Sequence, residues 1–89
     1  MALQILGTGP KPEEVAEKLR GSIGEAMPGA LVEVNCGSAG HFEIRVVSTL
    51  FEGKNRVQQQ QTVYGAIQHL MKGKNPPVHA IDRMLCEIP

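Results

Sequence analysis

Ala30-Leu31-Val32-Glu33-Val34 and Phe42-Glu43-Ile44-Arg45-Val46, parted by Asn35-Cys36-Gly37-Ser38-Ala39-Gly40-His41, decide how this chain folds. Side chains alternate between the two faces of an extended strand, so residues two apart share a face. Each segment therefore predicts a strand with one apolar face, Ala30, Val32 and Val34 set against Phe42, Ile44 and Val46. The stretch between them reads as a flexible, glycine-bearing hairpin loop, with Cys36 near one end and His41 at the other. The two strands are then antiparallel neighbours.

Upstream, Pro10 and Pro12 open a helix, since first-turn amides have no intrahelical partner for proline to remove. Glu13, Glu14 and Glu17 suit its positive end. Val15, Leu19, Ile23 and Met27 recur every four residues as one buried stripe, and Pro28-Gly29 ends the helix. Residues 1–9, closing on Gly7-Thr8-Gly9, read as a flexible arm ahead of a domain over 10–89. Downstream, Phe51-Glu52-Gly53-Lys54 is a turn, and Asn55 with Gln58 three residues on has the spacing of a capping box. Val57, Tyr64, Ile67 and Met71 are expected to line the inner side of this second helix, helped by Val63 and Leu70, with Gly73 as terminator. A rigid loop over 72–77 leads to a third strand from Val78 to about Cys86, whose alternation Asp82 and Arg83 interrupt.

A helix with long turns between the second and third strands has the length of a crossover joining parallel neighbours. The order helix-strand-strand-helix-strand predicts an α+β fold of two layers. Its sheet is three-stranded and mixed, with both helices on one face.

The 89 residues suit one small domain. Apolar residues make up 42% and charged residues 20%, so a packed core is affordable and wholesale disorder is excluded. Nine basic and nine acidic side chains cancel, which leaves no global field to hold a polyanion. No apolar run approaches the roughly 18–20 residues that span a bilayer. The opening Met1–Leu6 is too short and too uncharged for a secretory signal. Cys36 and Cys86 make no disulfide framework, so both are expected as reduced thiols in a cytoplasmic setting. A homodimer is compatible with these properties.

Parallel strands begin at the same end of a sheet. His41 starts the second strand and His79 the third, while Cys36 lies across the hairpin loop from His41. A thiol and two imidazoles should therefore gather at one edge. Thiolate and neutral imidazole are the usual protein ligands for zinc, copper and iron–sulfur clusters. A closed zinc site needs four ligands and usually shows a cysteine pair in a short motif, absent here. Three donors at most make a half-site that another molecule completes. Against this stands the plainer reading, in which a loop cysteine and two solvated histidines have no ligand at all.

Phe42-Glu43-Ile44-Arg45-Val46-Val47-Ser48, Phe51-Glu52-Gly53, Arg56-Val57-Gln58 through Val63-Tyr64, and Val78-His79-Ala80 resemble the BolA family, over roughly residues 12–81. Gln60-Gln61-Thr62-Val63-Tyr64-Gly65 is most similar to its YrbA-like acid-stress branch in bacteria, although a glutamine-rich version also occurs in the mitochondrial, organellar branch. The resemblance implies a class II KH-like fold and partnership with a monothiol glutaredoxin. It further implies a shared [2Fe–2S] cluster, held on one side by the glutaredoxin cysteine and glutathione and on the other by the BolA chain. The isolated chain would not retain such a cluster. The family histidine falls on His79, and the second ligand comes from the hairpin loop, which offers both Cys36 and His41. Histidine ligation raises a cluster's potential relative to thiolate alone.

The alternative function is a DNA-binding stress regulator acting through Lys54 and Arg56. Many BolA proteins carry Arg-His-Arg where this chain has Gln59-Gln60-Gln61, and fewer cations mean less counterion release on binding DNA. An RNA clamp needs Gly-x-x-Gly between two helices. The matches at Gly21–Gly24 and Gly37–Gly40 lie inside a helix and between strands. A thiol enzyme using Cys36 with His79 as base lacks an orienting third residue. The sequence after His79 also departs from the family: 82–89 lacks the usual threonine-proline-acidic-tryptophan ending.

Overall fold

A computed structural model describes residues 11–89, so the arm expected over 1–9, and Pro10, lie outside the described residues. Helix α1 (Pro12–Ala26) begins with proline at its first turn and carries Glu13 and Glu14 there. Its four-residue stripe is buried as the spacing implies: Val15, Leu19, Ile23 and the capping Met27 are each at most 3% exposed. Gly29, in the left-handed region at φ 85°, then turns the chain into β1 (Leu31–Ser38).

The sheet has the order β1-β2-β3, with β2 (His41–Val47) in the centre. Strands β1 and β2 are antiparallel, while β2 and β3 (Ala80–Glu87) are parallel. The expected inward set lies on the helix-covered face. Val34, Phe42, Ile44 and Val46 are buried, and Ala30 and Val32 pack against them. Both strands run further towards their connection than expected. β1 continues through Ser38 and β2 starts at His41, so a loop expected over 35–41 shrinks to the turn Ala39-Gly40. A register shift between Cys36 and Ser38 absorbs Gly37.

Ser48 accepts a hydrogen bond from Leu50 N–H and opens a short 3-10 turn (Thr49–Phe51) that buries Phe51 completely. Helix α2 (Arg56–Ile67) carries the full capping box: Asn55 Oδ1 accepts from Gln58 N–H, and Gln58 Oε1 accepts from Asn55 N–H. Its end and its inner face correct the helix reading: the α-helix stops at Ile67 and a 3-10 turn (Gln68–Leu70) follows, short of the terminator expected at Gly73. Val63, Ile67 and Leu70 are buried, but Val57 is 60% and Tyr64 38% exposed. Successive helical residues are about 100° apart, so Tyr64 is swung away once Val63 defines the buried line. On that line, one turn earlier, stand Gln59 and Gln60. They spend their amides on backbone: Gln59 Nε2 donates to Lys54 O at 3.0 Å, and Gln60 Nε2 donates to Met84 O at 3.4 Å.

The interruption of β3 has a structural cause. Phe42 pairs with Ile81 but Glu43 pairs with Arg83, so Asp82 is an extra residue in a β-bulge. The bulge resets the alternation. Ile81 and Met84 both reach the core side, while Asp82 and Arg83 are exposed.

Candidate functional site

The start of β3 is fixed by backbone before any side chain is considered. Val78 is fully buried and its N–H donates to Leu70 O at 3.1 Å. The next two amides, His79 N–H and Ala80 N–H, both donate to Gly40 O, at 2.8 and 3.1 Å. Gly40 sits at φ 77°, in the left-handed region. A β-carbon there would stand 2.7 Å from both Cγ and Nδ1 of His79. Only glycine allows the hairpin turn and the imidazole to come this close. Nothing in the sequence signals the role of Gly40, because the two residues meet only through the parallel pairing.

That pairing brings two histidines together. His41 lies opposite Ala80, one residue from His79, and the two rings stand edge to face with centroids 6.5 Å apart. His79 is exposed and His41 is partly so. A second partner missed from sequence is Asp82. Its Oδ1 is 3.0 Å from His41 Nδ1, a contact made when the bulge adds a residue to β3.

Cys36 takes a different position. It pairs with Phe42, and residues directly opposite in an antiparallel pair point to the same face. That is the helix-covered face, whereas His41, adjacent to Phe42 in the strand, points to the other. Cys36 accordingly lines an open groove against α1 with Pro12, Glu13, Ala16 and Arg20. Its thiol donates to Ser38 O at 3.1 Å. The fold thus joins His41 to His79 and sets Cys36 across the sheet from His41. Among the described residues, no three histidine, cysteine or acidic side chains stand close enough to hold a metal ion.

Lys54 and Arg56 are exposed at the start of α2. Arg56 borders Gln59, Gln60 and Met84–Cys86, towards the far end of β3 from His79. Cys86, in that region, has its thiol pKa raised by burial. Across the open face of the sheet, Arg45 bridges the outer strands, donating to Glu33 at 3.1 Å and to Glu87 at 2.9 Å. These two acceptors, Glu87 above all, hold its guanidinium pKa above the ordinary value. Among the described residues, no helix is long and apolar enough to cross a membrane.

The family model for BolA-like proteins matches residues 24–85, which takes in the hairpin, α2, His79 and most of β3. This chain belongs to the BolA family. It is 39% identical over 67 residues to an uncharacterized protein in the rpoN-murA intergenic region of Acinetobacter guillouiae, covering 74% of this chain and 76% of that one. It is 38% identical over 45 residues to the acid stress protein IbaG of Escherichia coli K12, a match spanning 51% of each. Among solved structures, a bol-like protein from Babesia bovis superposes with a TM-score of 0.64 at 28% identity, over 83% of this chain and 84% of that one. The likeness to this structure agrees with the mixed three-stranded sheet and the two helices.

Proposed function

We propose that this BolA-family chain is a binding protein that holds one side of a [2Fe–2S] cluster, shared with a monothiol glutaredoxin and glutathione. One observation carries the reading: two accessible imidazoles, His41 and His79, project from neighbouring strand starts with ring centroids 6.5 Å apart. Neutral imidazole is a good ligand for iron. A cluster of two irons takes four protein or thiol donors. Two donors here leave two positions to a partner, and a thiol from glutaredoxin with one from glutathione would fill them. His79 is the principal ligand in this reading, and its backbone is held on both sides as a ligand requires. Of the two hairpin candidates, His41 shares its neighbourhood, while Cys36 lies on the helix-covered face. Such a chain would act in cluster trafficking or in iron, redox or acid-stress sensing, in a cytoplasmic or organellar compartment.

The test is to assemble the complex from this chain, a monothiol glutaredoxin, iron, sulfide and glutathione, and record visible circular dichroism. His79→Ala should change the cluster bands. Identical spectra for wild type and His79→Ala would reject the reading.

A DNA-binding role for Lys54 and Arg56 gains less support. The glutamines beside them are engaged with backbone carbonyls, and the pair of cations stands without a surrounding basic patch in the sequence of α2.

A further inference from the structure

We propose that Asp82 is a positioning residue for His41, holding it as the Nδ1–H tautomer so that Nε2 is left as its free donor beside His79. The inference rests on the shared-cluster reading for its purpose and on the geometry alone for its substance. An ionised carboxylate can only accept a hydrogen bond, so the nitrogen 3.0 Å from Asp82 Oδ1 must be the one carrying hydrogen. In a neutral ring the other nitrogen then has the lone pair. A carboxylate behind a ligating histidine orients the ring and raises its basicity.

The contact depends on the bulge. With regular pairing Glu43 would lie opposite Asp82; the extra residue instead places Arg83 there and frees Asp82 to reach back to His41. The two imidazoles are thereby held from opposite sides of one strand pair. His79 of the β3 approach lies against Gly40 of the hairpin turn, and His41 of β2 lies against Asp82 of β3. Among the described residues Cys36 has no such partner, its thiol being bonded to the local carbonyl of Ser38. Asp82 thus selects His41, over Cys36, as the companion of His79.

The experiment is long-range nitrogen–proton correlation NMR on the full chain without cluster, at mildly alkaline pH where an ordinary imidazole is neutral. Wild-type His41 should show protonated Nδ1 and unprotonated Nε2. Asp82→Ala should lose this preference, shifting the two nitrogens towards each other, and Asp82→Asn, which keeps a carbonyl acceptor, should restore it. A wild-type His41 with its proton on Nε2 overturns the proposal whatever the variants do. So does a well-folded Asp82→Ala whose His41 nitrogens match wild type. In the glutaredoxin complex, His41→Ala should alter the cluster bands and Cys36→Ala should leave them unchanged; the reverse result overturns the selection of His41. The tautomer is read without a cluster. Its failure is therefore distinct from an unaltered His79→Ala spectrum, which would reject the shared-cluster reading itself.

Discussion

The two ends of β2 are built from different materials. At its far end Val46 is fully buried, Phe51 closes over the core, and Ser48 N–H donates to Glu87 O at 2.9 Å. At its near end His41 and His79 are accessible, and Gly40 O and the Asp82 carboxylate supply the local holds. Burial of apolar area stabilises the first end without specifying any chemistry. The second end has buried Phe42 and Val78 beneath it, but its two accessible imidazoles depend on a glycine, one bulge and three hydrogen bonds. Its geometry is inherited: register set by the apolar end places the imidazoles, and small contacts then adjust them.

Phe42 joins the two ends, being 1% exposed and adjacent to His41. Phe42→Ala should cost about 3–5 kcal/mol in urea unfolding, a large share of the roughly 5–15 kcal/mol typical of a domain. Retention of near wild-type stability would show that the near end does not rely on the core as described. Gly40→Ala combines an unfavourable positive φ with a collision at the His79 ring. It should cost about 1–3 kcal/mol and move the His79 ring resonances more than those of His69. Equal shifts at both histidines would mean that the close approach of Gly40 to His79 is unimportant.

The cysteines sharpen the contrast next. Burial raises the Cys86 thiol pKa from its ordinary 9.0, so less thiolate is present at a given pH. Iodoacetamide at neutral pH should modify exposed Cys36 well before Cys86, as mass spectrometry of partially labelled chains would show. The protonated Cys86 thiol contributes fully below pH 9.0, and that contribution is lost as pH rises through the raised folded value. Comparing the pH dependence of unfolding in wild type and Cys86→Ala checks this. The smallest effect belongs to Arg45→Met, because its bridge to Glu33 and Glu87 is solvated. Thermal unfolding should fall only slightly, and the difference should shrink further in high salt. A large, salt-independent loss would show that the open face carries more of the fold than its exposure implies.

Much of the architecture was legible in short-range pattern. The four-residue stripe from Val15 to Met27, the alternation in Val32–Val34 and Phe42–Val46, and the Asn55–Gln58 cap each lie within one element. Element order and a helix-length crossover were enough to set β2 and β3 parallel, and so to bring His41 and His79 to one rim. The inner face of α2 was not legible in the same way. Val57 is the same residue type as Val63 and Tyr64 has a large ring to bury, yet only Val63 is on the side of the helix that packs against the core.

The sequence by itself determined the elements, their order and most of the core, because helix and strand periodicities act between residues a few positions apart. Only the tertiary structure decided that Asp82 is an extra residue touching His41, that Gly40 lies under His79, and that Cys36 and His41 occupy opposite faces. The reason is physical. These relations join residues about 40 positions apart, or depend on a one-residue change of register, and register is set by the whole sheet settling on its core.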